Sequence, residues 1–211
     1  MRTYPDGKKV ACIVTEYRDS SHADVIVGKI LEGYDQRGGP RPSFRVASLY
    51  TDQVPEQDMS RALAVKHQVP IADTIEAAIT LGSGEIAVDG VLLIGEHGRY
   101  PQNVKGQVCY PRPRFMEDTI AVLRKYGGAV PLFNDKHLAY NWHNAEWMYE
   151  ASRERMVPFM AGSSLPVTYR RPSLAIPIGT PSLRRSGATE AIPTAAADES
   201  PDSTMAGSEE P

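Results

Sequence analysis

Three of the five histidines in this chain, His22, His97 and His137, stand just past short apolar runs, beside other groups that can carry or receive a proton. Glu96-His97, followed by Gly98, reads either as a general acid/base pair or as a turn whose histidine hydrogen-bonds to backbone. Lys136 lies between Asp135 and His137 at the end of an apolar run. It is either tuned by burial next to titratable neighbours or ion-paired at the surface, and the sequence favours tuning. Glu16, Arg18, Ser20, Ser21 and His22 follow the first apolar run, Asp52 follows the second, and Tyr100 follows the Glu96-His97 pair. Ser163-Ser164, after Gly162, reads as the cap of a strand in preference to an anion-binding turn.

Two other chemistries are weaker. A Ser/His/Asp hydrolase on this kind of scaffold needs a G-x-S-x-G elbow, and AGSSLP (161–166) lacks the second glycine. Glu96, His97, Asp135 and His137 are ligand types suited to Zn, Mn or Fe, but their spacing matches no ligand motif.

The elements that must position these residues alternate in type. KKVACIVT (8–15), FRVASLYTD (44–52), VDGVLLIG (88–95), AVPLFND (129–135) and VPFMAGSS (157–164) are apolar runs of strand length. Between them, SSHADVIVGKILEGY (20–34), DMSRALAVKHQV (58–69), DTIEAAIT (73–80), FMEDTIAVLRKYGG (115–128) and HNAEWMYEASRERM (143–156) carry helical spacing. Serine caps the first of these helices, Asp58 or Ser60 the second, and the glycine pair Gly127-Gly128 ends the fourth. The nearly continuous run at 88–95 belongs in the middle of a sheet covered on both faces. Five strand–helix alternations predict an α/β fold, a doubly wound and mostly parallel sheet of Rossmann-like type. In such sheets ligands bind outside the carboxyl ends of the strands, where the candidate residues fall, whereas His67 lies in a helix and His143 near a helix start.

Twenty-three basic against twenty-six acidic side chains give a net charge of −3 with the signs interspersed, so no field gathers nucleic acid or an anionic membrane surface. No apolar run reaches the roughly 18 residues of a membrane helix. Cys12 and Cys109 form no CxxC or zinc spacing, and the first residues lack a secretory pattern, so a reduced, cytoplasmic protein with a small-molecule ligand is expected. An oligomer is compatible with this composition. The expected organisation is a domain at 1–175, a linker or the remnant of a second domain at 176–185, and a disordered tail at 186–211, rich in Ala, Ser, Pro and acid.

Several strings resemble the N-terminal domain of the Gfo/Idh/MocA-type oxidoreductases: SRALAVKHQVPIADTIEAAI (60–79), VDGVLLIGEHGRYPQN (88–103) and VPLFNDKHLAYNWHNAEWMYEASRERMVPFMAGSS (130–164). The resemblance covers most of residues 8–170. It implies hydride transfer between a nicotinamide cofactor, NAD(P), and a sugar- or polyol-like substrate. Lys136 takes the place of the family's catalytic lysine, with His97 or His137 assisting. Ser20, Ser21, His22, Asp52 and Glu96 would line the cofactor site. An acid at the end of the second strand, here Asp52, reads ribose hydroxyls in dinucleotide folds and favours NAD over NADP, although it reads equally well as a turn residue.

Three departures stand out. TEYRDSSHA (15–23) replaces the family's Gly-x-Gly-x-x-Gly, which lets backbone approach a pyrophosphate. Lys136-His137 replaces Lys-Pro, with Asp135 in place of glutamate. The family's second α+β domain is expected to be missing. These departures keep an alternative open: a non-catalytic or metal-dependent Rossmann-like domain that binds another polar small molecule.

Overall fold

The computed structural model describes residues 7–162. Among them six parallel strands form one sheet: β1 (Lys8–Val14), β2 (Phe44–Thr51), β3 (Ile71–Ala72), β4 (Gly90–Ile94), β5 (Leu132–Asp135) and β6 (Phe159–Gly162). Their order across the sheet is β3-β2-β1-β4-β5-β6. This is the doubly wound Rossmann-like order, and the winding reverses between β1 and β4. The fold class expected from the sequence is therefore the one observed.

Five helices make the crossovers: α1 (His22–Glu32), α2 (Ser60–His67), α3 (Ile75–Thr80), α4 (Arg112–Lys125) and α5 (Trp142–Glu154). Ser21, Thr74 and Asn141 cap α1, α3 and α5 by accepting a backbone N–H three residues on. Helix α2 has no side-chain cap at Met59; instead the Asp58 carboxylate accepts from the Ser60 hydroxyl and the Arg61 N–H. Helix α4 starts at Arg112, three residues ahead of expectation, because Pro113 fits a first turn where its missing N–H costs nothing. β3 was not expected. Its two residues, paired with Leu49 and Tyr50, are too few to show a period. The predicted Ser163-Ser164 strand end, the linker at 176–185 and the tail at 186–211 lie outside the described residues.

β4 occupies the middle of the sheet, as its continuous apolar run requires. One face buries Ala11, Val91 and Leu132 in register beneath α3, α4 and α5. The other buries Val10, Cys12, Val14 and Leu49 against α1 and α2. No helix among the described residues is long and apolar enough to cross a membrane.

Candidate functional site

The carboxyl ends of β1, β4 and β5 bring together most of the residues singled out from the sequence. His22 opens α1 and turns its Nδ1 to Asp135 Oδ2 at 2.5 Å, which joins the end of β1's connection to the end of β5. A carboxylate on Nδ1 assigns the proton to that nitrogen and leaves Nε2 as an acceptor. The His97 ring lies 5.3 Å from the His22 ring, centroid to centroid, and its Nδ1 faces Arg18 Nη2 at 3.3 Å. Arg18 also donates to Glu16 at 2.7 Å. Because a guanidinium only donates, His97 Nδ1 accepts and Nε2 carries the hydrogen. Burial, then the charge of Arg18 and that of His22 whenever it is protonated, push the His97 pKa below that of an ordinary histidine, in keeping with a neutral ring.

Arg112 anchors the other side. A cation in the first turn of α4 opposes the helix dipole, so it needs acceptors nearby. It finds them in Gly95 O at 3.1 Å, Glu96 Oε2 at 2.7 Å and His137 Nε2 at 2.9 Å, with only 1 % of its surface exposed. Burial and Arg112 together lower the His137 pKa. Gly95 is obligatory beneath this arginine, since a Cβ there would stand 2.4 Å from Arg112 Cγ. Thr15 donates its hydroxyl to Glu96 O and so ties the ends of β1 and β4.

Ser20, His97 and Lys136 all hold left-handed backbone, at φ of +57°, +69° and +70°. Non-glycine residues rarely adopt it, and such conformations concentrate at sites of function. Lys136 is half-buried, and its ammonium makes no ion pair or hydrogen bond among the described residues.

Eight buried side-chain polar atoms among the described residues lack a hydrogen-bond partner, and five belong to carboxyl-edge residues: Thr51 Oγ1, His97 Nε2, Arg112 Nε, Asn134 Oδ1 and Asp135 Oδ1. Each unmet buried group costs roughly 1–3 kcal/mol, so the edge holds hydrogen-bonding capacity that the fold itself leaves unused.

Asp52 belongs to a second cluster at the end of β2. Its carboxylate accepts from the Tyr50 hydroxyl at 2.8 Å, the Tyr100 hydroxyl at 2.7 Å and Arg114 Nη2 at 2.6 Å. Burial raises its pKa, but Arg114 and the two hydroxyls outweigh burial and hold it below the ordinary carboxylate value. Arg112, Arg114 and Tyr50 escaped the sequence reading. The signal for the arginines is PRPR (111–114) at a helix start, where two cations against the dipole point to carboxylates held elsewhere.

The metal reading is not supported. Among the described residues no group of three or more His, Cys, Asp or Glu side chains is placed to hold an ion. His97 faces Arg18, Glu96 and His137 both face Arg112, and Asp135 faces His22, so the four proposed ligands turn to other partners.

Solved structures of Gfo/Idh/MocA-type oxidoreductases are similar to this chain. A Gfo/Idh/MocA family oxidoreductase from Vibrio cholerae is 18 % identical with a TM-score of 0.47, over 74 % of this chain and 38 % of that one. A dehydrogenase (MviM) from Clostridium difficile is 16 % identical with a TM-score of 0.47, over 74 % and 39 %. UDP-N-acetylglucosamine 3-dehydrogenase from Acidithiobacillus ferrooxidans is 12 % identical with a TM-score of 0.46, over 74 % and 38 %. The chain thus spans less than two-fifths of the length of each. No family model and no curated protein matches the chain.

A dinucleotide fits poorly at the residues present. Its pyrophosphate needs free N–H groups and close backbone approach at the start of α1. Here Arg18 N donates to Ser21 Oγ, Ser20 N to Asp24 Oδ2, Ser21 N to Arg18 O and Asp24 N to Ser21 Oγ. The Asp24 carboxylate already supplies the negative charge that this helix end favours. Tyr17 and Glu16, both buried, stand where glycines would admit the phosphates.

Proposed function

We propose that this domain is an oxidoreductase-like Rossmann scaffold whose switch-point cleft binds a small, hydroxyl-rich molecule of sugar or polyol type and moves a proton on it. The observation that carries this reading is the His22–Asp135 pair, flanked by unmet polar atoms of His97, Asn134 and Asp135. His22 Nε2, oriented through Nδ1 by Asp135, takes a proton from a ligand hydroxyl. His97 Nε2–H and the Lys136 ammonium donate to the oxygen that becomes negative, and His137 and Glu96 are held in place by Arg112. Vicinal hydroxyls, each both donor and acceptor, match a site that offers donors and acceptors side by side. In this reading Ser20, Ser21 and Asp52 shape the cleft and do not contact a cofactor.

Nicotinamide-linked hydride transfer with Lys136 as acid/base is the second reading, and the unpaired Lys136 on its left-handed turn is what favours it. Calorimetric titration with NAD⁺, NADH, NADP⁺ and NADPH, followed by a panel of sugars, polyols and sugar acids, separates the two. The expected result is no dinucleotide binding and binding of a hydroxyl-rich ligand that His22→Ala abolishes. Micromolar binding of any dinucleotide would overturn the first reading in favour of the second.

A further inference from the structure

From the end of β4 the chain runs through Glu96–Tyr110 before α4 begins at Arg112. Its first residues are fastened to β2. Tyr100 donates to Asp52 Oδ2 at 2.7 Å, Gln53 Nε2 donates to Arg99 O at 3.0 Å, and Arg99 N donates back to Gln53 Oε1 at 2.8 Å. Since β1 lies between β2 and β4, a segment that leaves β4 and reaches the end of β2 passes over the carboxyl end of β1. That end leads into Glu16, Arg18 and His22 of the site proposed above.

The remainder of the segment is a unit in itself. Gln102 and Val108 form an antiparallel bridge, Cys109 N donates to Pro101 O, and the Asn103 side chain binds the Lys105 and Gln107 N–H groups across the tip. Where it joins β4, His97 and Gly98 follow one another in left-handed backbone, at φ of +69° and +94°. A Cβ at Gly98 would stand 2.7 Å from the Tyr100 ring, so only glycine permits both this turn and the seating of Tyr100.

We infer that Glu96–Tyr110 is a flap over the cleft, hinged at His97-Gly98 and latched to β2 by the Tyr100–Asp52 and Gln53–Arg99 contacts. Release of the latch leaves no orphaned charge, because Arg114 and Tyr50 continue to hold the Asp52 carboxylate. The other ties sit at the two ends of the segment: Thr15 hydroxyl to Glu96 O, Arg112 to Glu96 Oε2 and Arg18 to His97 at the hinge, and the Arg112 guanidinium over the Tyr110 ring where the segment meets α4. Opening is therefore local and reversible. As His97 is a hinge residue, closing the flap also sets the His97 ring beside His22. The inference builds on the site proposed above, but its test needs no ligand.

Hydrogen–deuterium exchange of the full chain, read peptide by peptide, compares the parent with Tyr100→Phe and with Gln53→Ala. Exchange at Arg99, whose N–H donates to Gln53 across the latch, is expected to rise by about tenfold in Tyr100→Phe, which leaves that acceptor in place, and in Gln53→Ala, while the internally bonded residues 103–110 and β1, β4 and β5 keep their protection. Two results would overturn the flap: unchanged exchange at Arg99 in Tyr100→Phe, or a matching loss of protection throughout the sheet, which would make Tyr100 a general stabilising residue.

Discussion

The carboxyl edge of the sheet carries two acid clusters that are built alike and used differently. At β2, Asp52 meets Tyr50, Tyr100 and Arg114, and most of its accepting capacity is taken. At β5, Asp135 is wholly buried, yet only Oδ2 has a partner, and its neighbours His97 and Asn134 share that incompleteness. A saturated carboxylate fixes structure, whereas an unsaturated one beside a histidine retains capacity for something else. Under the two proposals, Asp52 fastens the flap and the switch point carries the chemistry.

Removing Arg112 should have the largest effect, since it strips the counter-charge from Glu96 and the donor from His137 in one step. Arg112→Ala should lose about 3–5 kcal/mol in chemical denaturation, the usual consequence of breaking a buried pair from one side. Arg112→Lys should recover part of the loss, because an ammonium reaches fewer of the three acceptors. A loss for Arg112→Ala below about 1 kcal/mol, the range of surface pairs, would mean the pair is far more solvated than its burial indicates.

The pairing of Asp135 with His22 comes next. A double-mutant cycle with Asp135→Asn and His22→Gln should give a coupling energy of roughly 0.5–3 kcal/mol, while Asp52→Asn with His22→Gln should be additive within about 0.5 kcal/mol. Coupling between Asp52 and His22 would erase the distinction between the clusters.

How much of this contrast was legible beforehand depends on the length of the signal. The strands at 8–15, 44–52 and 88–95 and the helices at 115–128 and 143–156 carry enough residues for a period to show, and they appear within a few residues of expectation. β3 was hidden because two residues have no period. The strand ends also named Lys136, His97, His137, His22 and Asp52 as candidates. What the sequence left out was pairing: Arg112 reaches His137 across 25 positions and Arg114 reaches Asp52 across 62, distances over which no local pattern exists.

The pH dependence of stability tests both clusters at once. The Asp52 pKa is lowered in the fold, so Asp52 contributes stability that is present above the unfolded value of about 3.9 and lost as pH falls through the folded value. Asp52→Asn should flatten that acid limb. The His97 and His137 pKa values are also lowered, so unfolded histidines bind protons that the folded ones refuse. Their contribution is present above about pH 6.5 and is lost as pH falls below it. His97→Gln with His137→Gln should remove the slope that begins there and leave the acid limb. A slope near pH 6 that survives the double substitution would place its origin elsewhere.

The smallest effect on stability should come from Lys136, and it sharpens the comparison most. At φ of +70° a lysine is strained, while glycine adopts that backbone freely but gains more entropy on unfolding. These effects oppose each other, so Lys136→Gly should change stability by less than about 1 kcal/mol. Ligand binding and turnover should nevertheless fall, since the ammonium has no structural partner among the described residues whose loss would explain it. A variant that is both stable and fully competent would remove Lys136 from the site and leave the His22–Asp135 pair and His97 to act alone.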